Sequence, residues 1–73
     1  MTYEEDVRHY VVKHPNTPAS VLETFSKDED WSVRACIAEN PNTPKYTIIE
    51  MLLIEENPYV SEQLRERLNK EEE

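Results

Sequence analysis

The stretch His14-Pro15-Asn16-Thr17-Pro18 returns later in the chain as Asn40-Pro41-Asn42-Thr43-Pro44. The register extends on both sides of the phrase at one fixed offset. Val7-Arg8 recurs as Val33-Arg34, Val11-Val12 as Ile37-Ala38, Leu22 as Ile48 and Phe25 as Met51. A period of about 20–50 residues marks a repeat architecture, in which each unit buries its apolar face against its neighbour. The phrase itself is punctuation. The residue before a proline disfavours the α conformation, so Pro15 and Pro41 each stop a helix. Threonine suits a helix N-cap and proline the first helical position, so Thr17-Pro18 and Thr43-Pro44 each start one.

Working outward gives five helices. The first is expected from about Tyr3 to Lys13, with Thr2 and Glu5 at capping-box spacing and Tyr3, Val7, Tyr10 and Val11 on one face. The second starts at Pro18, carries Val21, Leu22 and Phe25, and ends near Ser26 or Lys27. Asp30 caps the third, about Trp31 to Glu39, with Val33, Cys36 and Ile37 on one side. The fourth runs to about Glu55. Asn57-Pro58 starts the last, with Val60, Leu64 and Leu68 at i, i+4, i+8, and a polar, frayed tail from Asn69 to Glu73. Val60, the counterpart of Val33, comes one position later than the register places it, so the second unit holds a single insertion.

The order Pro15-Asn16-Thr17-Pro18, Leu22, Phe25, Asp28, Asp30, Val33-Arg34 resembles the leucine-rich repeat variant family. The second unit follows it through Pro41-Asn42-Thr43-Pro44 and Ile48. It then departs: Ile54-Glu55-Glu56-Asn57-Pro58 stands where the family has Asp-x-Asp, and Ser61 stands where arginine should follow Val60. The resemblance covers about residues 7–60. It implies a short right-handed α-superhelix, akin to HEAT and armadillo arrays, in which α-helices alternate with short or 3₁₀ helices. The expected layout is a single all-α domain over 1–73. Repeat 1 spans about 7–32, repeat 2 about 33–59, and a capping helix about 58–70. The family is defined by shape and brings no catalytic residues. Some of its members carry a cysteine cluster that holds iron and sulfur; Cys36 alone excludes that cofactor.

Composition agrees with this reading. Glycine is absent, and helices joined by Asn-Thr-Pro turns need none. A chain of 73 residues makes one domain, with roughly 3–5 kcal/mol available from its core. One cysteine allows no internal disulfide and fits a reducing compartment, so a cytoplasmic location is expected. The acidic start, Met1 to Asp6, is no secretory signal, and no apolar run is long enough to span a membrane. The Met start and charged tail favour a complete chain. The net charge of −8 repels nucleic acid and anionic lipid and favours a basic partner.

The residues that could carry chemistry have structural readings. His9, His14 and Cys36 are the soft metal ligands, and their spacing points them apart. Asp28, Glu29 and Asp30 lack the ligand number and the glycine of a calcium loop; Asp30 serves as a cap. Asp30–Arg34 and Glu4–Arg8 are pairs one helical turn apart. Trp31 is expected to pack across the junction between units. No nucleophile-base pair or phosphate loop stands out, so neither enzymatic activity nor a cofactor is expected.

The most specific clue lies between the units. Glu23, Lys27 and Asp28 become Ile49, Leu53 and Ile54. Ile48, Met51 and Leu52 form the core stripe of the fourth helix, and Ile49 and Leu53 form a second stripe beside it. Either the last helix covers that stripe with Leu64 and Leu68, or Ile49, Leu53 and Ile54 remain exposed as an interaction surface. The expected function is therefore a non-enzymatic protein-interaction module. A structural, self-associating role is the alternative, with the open end stacking on another copy. Nucleic-acid binding is a third reading, and it requires Arg8, Lys13, Arg34 and Lys45 to share one face.

Overall fold

A computed structural model describes the backbone of residues 3–71 and the side chains of residues 7–70. Five α-helices follow one another: α1 (Tyr3–Lys13), α2 (Ala19–Phe25), α3 (Trp31–Glu39), α4 (Lys45–Ile54) and α5 (Pro58–Glu71). There is no strand among the described residues. The expected capping box of Thr2 and Glu5, the Glu4–Arg8 pair and the packing of the Tyr3 side chain lie outside the described residues.

The two proline phrases fold into the same turn. Thr17 N–H donates to the His14 carbonyl and Thr43 N–H to the Asn40 carbonyl, both at 3.1 Å. Within the turn, Asn16 N–H donates to His14 Nδ1 and Asn42 N–H to Asn40 Oδ1. The threonines do not cap the following helix, as expected, but close the preceding one. Thr17 Oγ1 donates to the Val11 carbonyl, and Thr43 Oγ1 to the Ile37 carbonyl. These carbonyls belong to the last turn of a helix, where no intrahelical N–H is available. Pro18 and Pro44 are themselves the N-caps, in extended geometry (φ −61°, ψ 149° and φ −66°, ψ 154°). Their carbonyls start α2 and α4. Among the described residues, no residue adopts a positive φ. That is how a chain without glycine turns from helix to helix.

The second helix is short, as expected, and α-helical. α4 ends at Ile54 with Glu55 as its C-cap, close to the expected end. One other expectation changes. α5 continues through Asn69 and Lys70 to Glu71 where a frayed tail was expected. The sequence Glu66 to Glu71 has no proline or glycine, and Lys70 meets the negative end of the helix dipole.

α1, α2 and α5 all pack on α3, and α4 packs on α5. The Cα extents of 40 × 26 × 14 Å describe a slab. Its core is Val12, Leu22, Val33, Ala35, Ile37, Ala38, Ile48, Met51, Val60 and Leu64, with Phe25, Cys36, Leu52 and Leu68 packed against it. The predicted inner face of α1 is wrong. Val12 is fully buried, while Val7 and Tyr10 are 56% and 70% exposed. The reason is which face meets α3: Arg8 reaches Asp28, His9 reaches Ser32, and the Val12 carbonyl receives Asn40 Nδ2. Val7, Tyr10 and His14 point the other way. At the corresponding α3 positions, Cys36 shares a small cleft with Lys13, and Asn40 is only 2% exposed.

The junction bonds recur at the sequence offset of the two proline phrases. Asn40 Nδ2 donates to the carbonyls of Val12 and His14, and Asn42 Nδ2 to that of Thr17. At the same offset the equivalent carbonyls, those of Ala38, Asn40 and Thr43, are taken by one side chain, the Arg67 guanidinium of α5. A single arginine thus does the work of two asparagines, because its fork presents several donors in one plane.

Candidate interaction surface on α4

α4 has two unlike sides. Thr47, Ile48 and Met51 are buried towards the core. On the other side Tyr46, Ile49 and Leu53, at i, i+3 and i+7, are exposed, and so is Ile54 at the C-terminal end. Leu53 is 79% exposed and Ile54 64%. α5 seals the core side with Leu64, fully buried, and Leu68. It does not cover Ile49, Leu53 or Ile54. Of the two sequence expectations for the second stripe, closure by Leu64 and Leu68 is therefore not met.

Tyr46 extends the stripe by a turn and was missed from the sequence. The signal was available: Ser20 becomes Tyr46 at the same offset that turns Glu23 into Ile49. The Glu23 carboxylate beside the Tyr46 phenol holds its pKa above the ordinary tyrosine value. Glu50 lies on the exposed side within one turn of Tyr46, Leu53 and Ile54.

Ile54 leads into a shallow cleft of about 290 Å³ between the α2–α3 and α4–α5 loops. Arg34 forms its floor. Its Nε and Nη2 donate to the two carboxylate oxygens of Glu55 at 2.8 and 2.9 Å, and Nη1 donates to the Asp28 carbonyl at 2.6 Å. The expected Asp30–Arg34 pair does not form. Asp30 instead caps α3, accepting from the Ser32 N–H and hydroxyl at 2.9 and 2.7 Å. These two bonds lower its pKa.

The neighbouring junction is built alike. Arg8 Nη1 donates to Asp28 at 2.7 Å, and Asp28 accepts from the Asp30 N–H, as Glu55 accepts from the Asn57 N–H. Asn57 Oδ1 in turn accepts from Tyr59 N–H, as Asp30 does from Ser32. Glu55-Glu56-Asn57 therefore makes the bonds of Asp28-Glu29-Asp30, one unit later. The departure from Asp-x-Asp seen in the sequence is a chemical replacement. Burial acts to raise both Asp28 and Glu55. The N–H and guanidinium donors outweigh it and leave both carboxyls below their ordinary values. Glu55 raises the pKa of Arg34 in return. The polar groups of the cleft floor bond to one another; its rim carries the exposed carboxylates of Glu29 and Glu56.

The alternative basic face is not assembled as free charge. Arg8 and Arg34 are held by Asp28 and Glu55. Lys13 ends α1 beside Cys36, and Lys45 opens α4. Nor do the soft ligands converge. His9 bonds Ser32, the His14 ring meets Tyr10 edge-on, and burial raises the pKa of the Cys36 thiol. Among the described residues no group of three or more His, Cys, Asp or Glu is placed to hold a metal. Trp31 bridges the starts of α3 and α5, edge-on to Tyr59 at 5.8 Å, yet stays 47% exposed. No described helix is long and apolar enough to cross a membrane.

Comparison with family models, with curated proteins and with solved structures gave no match.

Proposed function

We propose that this chain is a non-enzymatic protein-interaction module. In this reading it is a two-unit helical repeat of the leucine-rich repeat variant kind, wound as a short right-handed superhelix and closed by α5. The bonds that recur at equivalent positions of the two units support the repeat. Arg67, which occupies the carbonyls a further unit would use, supports α5 as the cap. A cytoplasmic location fits the single thiol.

One observation carries the interaction reading. Tyr46, Ile49 and Leu53 are exposed where the first half of the chain has Ser20, Glu23 and Lys27, and Ile54, also exposed, has no counterpart there because Glu55 takes the place of Asp28. The fold does not require apolar residues there, since α2 forms and packs without them. Exposed apolar patches on a small domain mark contact sites.

Selecting a random-peptide display library against the chain tests the proposal. Peptides are expected that bind the wild type and not a folded Ile49→Glu/Leu53→Lys double variant. A library that yields only peptides indifferent to the double substitution refutes the α4 surface. The self-associating alternative rests on Val7 and Tyr10, exposed on the outer side of α1. It predicts a mass that rises with concentration in sedimentation equilibrium, whereas the module reading predicts a monomer.

A further inference from the structure

We infer that the occupant of the α4 surface is an amphipathic helix with lysine or arginine flanking its apolar stripe. This rests on the interaction reading above and specifies the partner's chemistry. The shape of the surface sets the secondary structure. Tyr46, Ile49 and Leu53 make a ridge two helical turns long, the repeat with which a second helix aligns its own i, i+3/i+4 and i+7 residues. No strand edge is offered among the described residues, so strand addition has no template.

Charge sets the flanks. Glu50 stands on the exposed side of α4 between the ridge and Ile54, and Glu29 and Glu56 are exposed on the rim of the cleft that Ile54 enters. Glu23 lies beside Tyr46 at the other end of the ridge. Lys27 and Lys45 are the exposed cations nearby, and Arg34 in the cleft is taken up by Glu55. The exposed carboxylates Glu29, Glu50 and Glu56 therefore outnumber the exposed cations around an apolar ridge, on a chain of net charge −8. A cationic helix gains both steering and rim contacts from this arrangement. A second copy of the chain would bring Glu50 and Glu56 against like charge, and so would an acidic helix or nucleic acid.

Two synthetic peptides of about 14 residues, roughly four helical turns, test this. Both carry leucines at i, i+3, i+4 and i+7. One fills the flanking positions with lysine, the other with glutamate. Titrations into the full chain are followed by amide chemical shifts. The lysine peptide should shift α4 resonances and bind at least about tenfold more tightly than its glutamate twin at low salt, with the difference shrinking as salt rises. Leu53→Ser, and separately Glu50→Lys/Glu56→Lys, should each weaken it about tenfold or more. These positions are solvent-facing, and circular dichroism checks that each variant is folded.

Comparable binding of the two peptides, with loss on Leu53→Ser, overturns the cationic partner and leaves the α4 surface standing. Failure of the lysine peptide to bind, with the glutamate twin binding, overturns it likewise. Binding of the lysine peptide that ignores Leu53→Ser, or binding of neither peptide, overturns the ridge as the contact as well.

Discussion

α2 and α4 start from the same phrase and turn the same two positions inward, Leu22 and the half-buried Phe25 in one, Ile48 and Met51 in the other. On the outer side they have nothing in common. α2 presents Ser20 and Glu23, and Lys27 follows just after it; α4 presents Tyr46, Ile49 and Leu53. Packing constrains the inner positions, because a cavity or an overfilled core costs stability. It leaves the outer positions open. Where two helices share an inner face and differ on the outer one, the difference reports on something other than folding.

The largest expected effect separates the junctions rather than the faces. Glu55 is 2% exposed at its side chain, and Asp28 9%. Arg34→Ala leaves a buried carboxylate without its cation and should cost about 3–5 kcal/mol, most of the stability of a domain this size. Arg8→Ala leaves a partner nearer to water and should cost about 1–3 kcal/mol. Urea unfolding followed by circular dichroism measures both. Equal losses would show that the two junctions are energetically alike despite their different burial.

The inner faces should then behave as a pair. Leu22→Ala and Ile48→Ala each remove atoms from a fully buried side chain, with an expected loss of about 2–4 kcal/mol. A variant melting within a degree or two of the wild type would remove that helix from the core.

Acid should weaken both junctions together. Asp28, Asp30 and Glu55 are held below their ordinary values of 3.8, 3.8 and 4.5. In that range the unfolded chain binds more protons than the folded one, so stability rises with pH. The contribution is complete above the ordinary values and is lost as pH falls through the folded-state ones. Thermal melts between neutral pH and about pH 2 should show the loss beginning below about pH 4.5. A melting temperature unchanged to the acid limit would show that these carboxylates add nothing.

The smallest expected effect is the most informative about α4. Ile49→Glu/Leu53→Lys gives the outer side of α4 the two charged residues, Glu23 and Lys27, that stand at the corresponding positions earlier in the chain. It should change stability by no more than about 0.5 kcal/mol, the usual range for surface substitutions. A loss of several kcal/mol would mean that the stripe is packed in solution, and the contrast between the helices would then be one of core rather than surface.

Much of this was legible in the chain. The two Pro-Asn-Thr-Pro phrases fix where helices stop and start through local sterics alone: proline's fixed φ and missing N–H act on adjacent residues whatever else surrounds them. The helical class, the inner positions Leu22 and Ile48 and the candidate trio Ile49, Leu53 and Ile54 all follow from spacing and from comparing one unit with the next. Tyr46 was recoverable by the same comparison. Tertiary structure decided what sequence spacing cannot. It turned Thr17 and Thr43 backwards, to carbonyls of the helices they follow rather than to the helices they precede. It chose Arg8, His9 and Val12 as the inner side of α1, because the side that is buried depends on where α3 lies. It paired Arg34 with Glu55, beyond the far end of α4, in place of Asp30 one turn away. It also let Glu55-x-Asn57 stand in for Asp28-x-Asp30, since a carboxylate or amide oxygen in the right place accepts the same backbone N–H. Finally, it left the second stripe of α4 open, because α5 settles on the core side of that helix. Local rules set the elements. Which faces of them meet water depends on partners far along the chain.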